Sequence, residues 1–170
     1  MFSGLLPNDI KKKHPNLWVD ENIDEGKNLH EEELLGLQLK RLGFHDVKYS
    51  YNKITNLKAG KKLADNVNNL YNNQLNAMVF NFVDMLSHAK TEMGVIKELA
   101  ETDKAYRSLT LSWFKNSPLL EIIRKISEKD YTLVITTDHG TINVSTPTKV
   151  VGSKDLNTNL RYKVGRHMSF

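Results

Sequence analysis

Residues 77–88 read Ala77-Met78-Val79-Phe80-Asn81-Phe82-Val83-Asp84-Met85-Leu86-Ser87-His88, and this segment is the strongest indication of the fold. Its first part, residues 77–83, is a nearly continuous apolar run, typical of a central strand that is buried on both faces of a parallel sheet. Asp84 and His88 follow this run and stand four residues apart. If the chain turns helical after the strand, both side chains lie on one helix face and can hold one metal ion.

A second segment, Tyr131-Thr132-Leu133-Val134-Ile135-Thr136-Thr137-Asp138-His139-Gly140, again places Asp and His after an apolar run. We expect a strand over residues 131–136. Adjacent residues point to opposite faces of a regular strand, so Asp138 and His139 converge only if the strand has already ended. Gly140 supplies a permissive backbone for a turn there, and a simple turn capped by Asp138 is the alternative. Carboxylates and imidazoles at the carboxyl ends of two strands indicate a metal site in an open α/β sheet.

Helical and strand-like patterns alternate along the chain. We expect helices over residues 31–42, 57–74, 105–114 and 118–128, strands over 46–54, 77–83 and 131–136, and a hairpin or β-extension over 142–151. Gly43 follows the first helix where a C-cap glycine belongs. This order predicts an α/β fold with a doubly wound, mostly parallel sheet in a single domain. Residues 1–30 and 152–170 are expected to be mostly irregular.

The composition limits the kind of protein and the kind of metal site. The chain has 170 residues and no cysteine, so a metal must be held by Asp, Glu and His. No apolar run approaches the roughly 18 residues that a membrane span needs, and the first ten residues lack the pattern of a signal peptide. We therefore expect a cytoplasmic protein. The net charge of +4 is compatible with phosphate-bearing substrates or nucleic acid, although a balance of this size more often reflects a solvated surface.

Several segments together resemble one known family. They are residues 2–7, 12–15, 81–88, 136–141 and 159–166. With these segments the chain resembles the alkaline phosphatase superfamily, and specifically the PglZ domain of PorX-type response regulators, which belong to two-component systems that govern type IX secretion. The resemblance extends over essentially all 170 residues. His167 departs from it, because we expect Asn at this position of the family's Gly-Arg-Asn run.

The resemblance implies a centre of two divalent metal ions, with zinc as the expected metal. Asp84 and His88 match ligands of one ion, and Asp138 and His139 match ligands of the other. Family members complete these sites with an earlier Asp, a Thr or Ser nucleophile and a distal His, none of which we can assign here, so no catalytic residue is named. Residues 1–170 are therefore expected to form a partial PglZ domain, an internal piece that binds metal weakly and is inactive alone.

The resemblance also implies a function for the intact protein. It is expected to be a zinc-dependent phosphodiesterase that acts on phosphodiesters or nucleotides, with an upstream receiver domain and partners in the regulation of secretion. Arg161 and Arg166 are candidates for binding substrate phosphate, because guanidinium groups contact phosphate in a bidentate manner; the alternative is a structural role in their loop. Two other functions stay open. One is a non-catalytic regulatory module that binds a nucleotide or a protein partner or forms a homodimer, and the other is a nucleic-acid-binding domain.

Overall fold

The structure, a computed structural model, describes residues 1–19, 29–140, 146, 148–151 and 169. The chain divides into two compact units, one formed by Met1–Gln38 with Ile135–Phe170 and the other by Leu39–Val134. In chain order the elements are α1 (Pro7–Lys13), α2 (Glu31–Arg41), β1 (Tyr49–Ile54), α3 (Leu57–Asp65), β2 (Leu75–Phe80), α4 (Phe82–Glu92), α5 (Gly94–Leu99), α6 (Asp103–Lys115) and α7 (Pro118–Ser127). None of the described helices is long and apolar enough to cross a membrane.

The second unit is organised around a two-stranded parallel sheet. β1 and β2 pair in a register that places Ile54 opposite Phe80. Parallel strands need a crossover connection, which is supplied by α3 and a 3-10 turn over Val67–Asn72. Asn56 begins α3 as its cap, because its side-chain oxygen accepts a hydrogen bond from the Ala59 backbone N–H at 2.9 Å.

The core of this unit lies between α3, α7 and one face of β2. Its buried residues are Ala64, Val67, Leu70, Ile122 and Ile126. Met78 and Phe80 pack against this cluster, since residues two apart in a strand share one face. A Cβ atom on Gly60 would lie 3.1 Å from Pro118 Cγ, so the glycine allows α3 and α7 to approach closely.

Three of the expected helices are confirmed within a few residues, as α2, α6 and α7. α2 ends as the sequence indicates: Gly43 has a φ of 88°, and the backbone N–H of Phe44 donates to the Leu39 carbonyl at 2.9 Å, as in a Schellman motif. The expected helix over 57–74 is wrong in its length. It ends at Asp65, where the side-chain amide of Asn66 donates to the Lys62 carbonyl at 2.8 Å and competes with the helical pattern.

Two boundaries near the chain's motifs also differ from expectation. β2 ends at Phe80, three residues earlier than the expected strand, and α4 begins at Phe82. In the described part of residues 1–30, α1 forms with Pro7 in its first turn, a position that proline favours, and a short 3-10 turn covers Pro15–Leu17; the other described residues are irregular, as expected. The expected hairpin over 142–151 lies largely outside the described residues.

The expected strand over residues 131–136 is wrong: these residues have no regular secondary structure. Val134 and Ile135 are 77% and 75% exposed. A strand is stable only when a neighbouring strand satisfies its backbone groups, and in the described residues β1 and β2 pair only with each other. The β1–α3–β2 arrangement is consistent with an incomplete α/β fold, while the doubly wound sheet stays a prediction.

Candidate metal centre

Asp84 and His88 lie on α4, directly after the carboxyl end of β2. The backbone N–H of Asn81 donates to the Ile54 carbonyl at 3.1 Å, and the helix begins at the next residue, Phe82. Asp84 is in the first turn and His88 is one turn later, so both side chains lie on one face of the helix. Asp84 Oδ1 and His88 Nε2 are 3.7 Å apart.

This separation suits two ligands of one ion. Zinc binds carboxylate oxygen and imidazole nitrogen at about 2.0–2.2 Å with tetrahedral geometry, which places neighbouring donor atoms roughly 3.4 Å apart. The observed 3.7 Å is close to this value. The side chains of Asp84 and His88 are 53% and 66% exposed, so a hydrated cation and a substrate have access to them. The pair therefore fits the role that the resemblance implies.

Two aromatic residues of α6 contact the beginning of α4. The ring of Trp113 stacks on the ring of Phe82, with centroids 4.2 Å apart and planes at 1°. It also meets Phe80 edge-on at 6.5 Å. The hydroxyl of Tyr106 donates to the Val83 carbonyl at 3.1 Å. Sequence reasoning missed these contacts, although the spacing of seven residues between Tyr106 and Trp113 places them on one face of a helix.

Asp138 and His139 lie in an exposed segment that is neither helix nor strand. Asp138 Oδ1 and His139 Nε2 are 3.8 Å apart, and the side chains are 69% and 53% exposed. The adjacent residues converge because no regular strand sends them to opposite faces. The Thr137 hydroxyl donates to the His139 carbonyl at 2.8 Å. Gly140 does not have a positive φ, so the segment does not use the left-handed conformation that this glycine permits.

One ring nitrogen of His139 lies close to a backbone carbonyl: Nδ1 is 3.1 Å from the Gly140 carbonyl oxygen. A carbonyl can only accept a hydrogen bond, so in the tautomer that carries its proton on Nδ1 the ring donates to Gly140, and the lone pair of Nε2 can bind a metal ion. A backbone carbonyl commonly orients metal-binding histidines in this way. The donor set of the second pair is therefore also compatible with a cation.

The described residues contain no group of three or more His, Asp or Glu residues that could hold one ion. Within these residues each pair supplies two donor atoms. Asp84 and His88 belong to one compact unit and Asp138 and His139 to the other. Arg161 and Arg166 lie outside the described residues. The metal-binding role of the four side chains stays a prediction.

Comparison with models of known protein families identifies the family of this chain. It aligns residues 1–169 with the BREX system PglZ alkaline phosphatase-like domain. The comparison with curated proteins finds no match. The aligned region includes both Asp/His pairs as well as Arg161 and Arg166, so all six candidate residues lie within the alkaline phosphatase-like part of the chain.

Proposed function

Because the chain belongs to the PglZ family of alkaline phosphatase-like domains, we propose that it forms part of a metal-dependent hydrolase of phosphoric esters. Phosphodiesters, including nucleotides, are the proposed substrate class. The observation that supports this best is the pair of matching donor geometries, with carboxylate oxygen and imidazole nitrogen 3.7 Å apart on α4 and 3.8 Å apart in the second motif. Both pairs are exposed, as residues that meet a substrate must be.

The proposed roles follow from the donor types. Asp84 and His88 hold one divalent cation, Asp138 and His139 hold a second, and zinc suits this set of oxygen and nitrogen donors. Bound divalent cations supply charge neutralisation at the phosphate and at its attacking and leaving oxygens. The chain's own contribution is orientation. The helix keeps the first two donor atoms on one face, and the carbonyl of Gly140 can accept a hydrogen bond from His139 Nδ1, which orients the ring with Nε2 available to the cation.

We assign substrate binding to Arg161 and Arg166. Their guanidinium groups are planar and permanently charged, so each can donate two parallel hydrogen bonds to phosphate oxygens. Replacing either with Lys keeps the charge and removes the bidentate geometry. The expected result is a higher KM for a phosphodiester with unchanged metal content. A KM that does not change in either variant would argue for a purely structural role of these residues.

The resemblance of residues 2–7, 12–15 and 159–166 to PorX-type proteins supports a more specific proposal. Under this proposal the domain works in the cytoplasm as part of a response regulator that has an upstream receiver domain and is linked to type IX secretion. The matched family is the PglZ domain of the BREX system, so the two contexts need to be separated by experiment. Deletion of the gene tests the link: loss of type IX secretion supports it, and normal secretion contradicts it.

The test of the hydrolase proposal compares metal content and turnover in the purified intact protein. Asp138→Ala and His139→Ala remove one proposed ligand each, while Asp130→Ala and His45→Ala remove the same side-chain types from exposed positions elsewhere. We expect the ligand variants to lose zinc affinity by about 100-fold or more, since even changes around metal ligands cost about 10- to 100-fold. The rate of hydrolysis of bis(p-nitrophenyl) phosphate should fall together with the zinc affinity. Unchanged zinc content and hydrolysis in both ligand variants would falsify the proposal.

A further inference from the structure

The first turn of α4 is held by α6 at two consecutive residues. The Tyr106 hydroxyl donates to the carbonyl of Val83 at 3.1 Å, and the ring of Trp113 stacks on Phe82 at 4.2 Å. Phe82 and Val83 directly precede Asp84 in the chain. Both contacts therefore act within two residues of a candidate metal ligand, although neither touches its carboxylate.

Trp113 also links the helix to the strand before it. Its ring meets Phe80, the last residue of β2, and Phe82, the first residue of α4. The change from strand to helix takes place at Asn81, between these two rings. Because one indole contacts the residues on both sides of this change, it restricts the direction in which α4 leaves the sheet.

The Tyr106 hydrogen bond restricts a different motion. In an α-helix the Val83 carbonyl accepts the N–H of Ser87, four residues later, and its second lone pair can accept the Tyr106 hydroxyl. A hydrogen bond to this carbonyl, together with the stacked ring at Phe82, resists rotation of α4 about its own axis. Asp84 and the histidine one turn later share one helix face, so such a rotation would move both donor atoms together.

We propose that Tyr106 and Trp113 are positioning residues for the Asp84 and His88 pair. They touch neither the cation nor the substrate, and they fix the direction in which the two donor atoms point. This inference rests on the proposed function, because it requires that the pair binds a metal ion. A positioning role differs from a purely structural role in one respect. Removing a positioning contact weakens metal binding more than removing a contact of equal strength elsewhere in the same unit.

The chain offers a matched pair of variants for this comparison. Tyr106→Phe removes the hydroxyl and keeps the ring, which lies 5.8 Å from Lys90 Nζ. Tyr71→Phe also removes a hydroxyl that donates to a backbone carbonyl, that of Lys125 at 3.2 Å, but this bond joins the core to α7 rather than to α4. Co²⁺ is a suitable probe, because its visible absorption depends on the ligand geometry around the ion.

The measured quantities are the Kd for Co²⁺, its absorption spectrum in the complex and the Tm of the metal-free protein. In Tyr106→Phe we expect the Kd to rise about two- to tenfold, the range that corresponds to one net hydrogen bond, and the spectrum to change. Tyr71→Phe should lower the Tm by about as much as Tyr106→Phe does, and it should leave the Kd for Co²⁺ and the absorption spectrum unchanged. Trp113→Phe, which keeps a smaller ring on Phe82, should shift the Kd in the same direction as Tyr106→Phe.

Asp84→Asn separates the failure of this inference from the failure of the proposed function. If Asp84→Asn binds Co²⁺ as tightly as the natural chain, the pair holds no cation and both proposals are wrong for it. If Asp84→Asn weakens binding while Tyr106→Phe and Tyr71→Phe give the same Kd and spectrum, the metal site stands and the positioning role is wrong. A change confined to Tyr106→Phe and Trp113→Phe supports the inference.

Discussion

The two Asp/His pairs have nearly the same donor separation on very different backbones. Asp84 and His88 are 3.7 Å apart on a helix, with a full turn of backbone between them. Asp138 and His139 are neighbours in a segment without helix or strand, and their donor atoms are 3.8 Å apart. In the first pair the helical repeat sets the distance, whereas in the second pair local side-chain hydrogen bonds have to do so.

Because of this difference, different kinds of substitution should disturb the geometry of each pair. The helical pair belongs to a unit with a buried apolar core, so it depends on many small packing contributions that are lost together when the unit unfolds. The other pair relies on a few exposed hydrogen bonds, such as that from Thr137 to the His139 carbonyl. A single substitution can remove one of these bonds without unfolding anything. The predictions below test this contrast.

The largest effect is expected from the core of the unit that carries the helical pair. Ile122 is fully buried against α3 and the 3-10 turn, and Ile122→Ala should lower the free energy of unfolding by about 2–5 kcal/mol. Urea denaturation measures this in a Trp18→Phe background, where Trp113 is the single remaining tryptophan. Its fluorescence follows the unfolding of the unit that carries Asp84 and His88.

Ile123→Ala is the matched control for this prediction. It removes the same atoms from the next residue of α7, which is only partly buried. Because both the transfer free energy and the cavity scale with burial, the loss should be clearly smaller than that for Ile122→Ala. Equal losses at the two positions would mean that the described core does not carry the stability of this unit.

The sequence predicted the helical pair well because its geometry is local. The spacing of Asp84 and His88, together with an apolar run before them, is sufficient to place both on one face of a helix. α7 was equally predictable, since Ser117 and Pro118 mark its start and its isoleucines follow a helical period. Such features depend on a few neighbouring residues and on the fixed repeat of the helix.

The sequence failed where the outcome depends on distant residues. Residues 131–136 have the composition of a strand, yet a strand also needs a partner, and sequence reasoning from propensity cannot supply one. The contacts of Tyr106 and Trp113 with α4 were missed for the same reason, because they join residues that lie more than 20 positions apart. For Asp138 and His139 the sequence predicted only that the chain must leave the strand conformation.

A smaller effect is expected from the hydrogen bond next to the second pair. Thr137→Val keeps the shape of the side chain and removes the hydroxyl that donates to the His139 carbonyl at 2.8 Å. In an Asp84→Asn background, where the helical pair is weakened, the Kd for Zn²⁺ should rise about two- to fivefold, since an exposed hydrogen bond contributes at most about 1 kcal/mol. Titration calorimetry measures the change.

Thr136→Val is the control for this measurement. Its hydroxyl lies 3.4 Å from the Thr137 carbonyl, a long and therefore weak hydrogen bond, so the same substitution should leave the Kd unchanged. If Thr136→Val and Thr137→Val behave alike, the local hydrogen bond does not hold the second pair. The contrast between the two backbones would then need another explanation.

The smallest effect is a pH dependence of stability, which we expect only in the unit Leu39–Val134 that carries Asp84 and His88. Lys125 of α7 donates to Glu121 at 2.7 Å and to the carbonyl of Ala64, near the end of α3, at 2.8 Å. The hydrogen bond to Glu121 raises the pKa of Lys125 above its ordinary 10.5, and partial burial opposes this. A raised pKa in the folded state means that folding favours the charged lysine, so its contribution is complete below pH 10.5 and is lost as the pH rises above it.

Lys125→Met tests this sign, because it keeps most of the aliphatic chain and removes the titrating group. Between pH 7 and pH 9 the natural chain should be slightly more stable than the variant by a constant margin, and above about pH 10.5 the margin should shrink. Lys97→Met, on the exposed surface of α5, should show a constant margin throughout. A margin for Lys125→Met that stays constant or grows at high pH would mean that the ammonium does not link α7 to α3, and that packing alone joins the two helices.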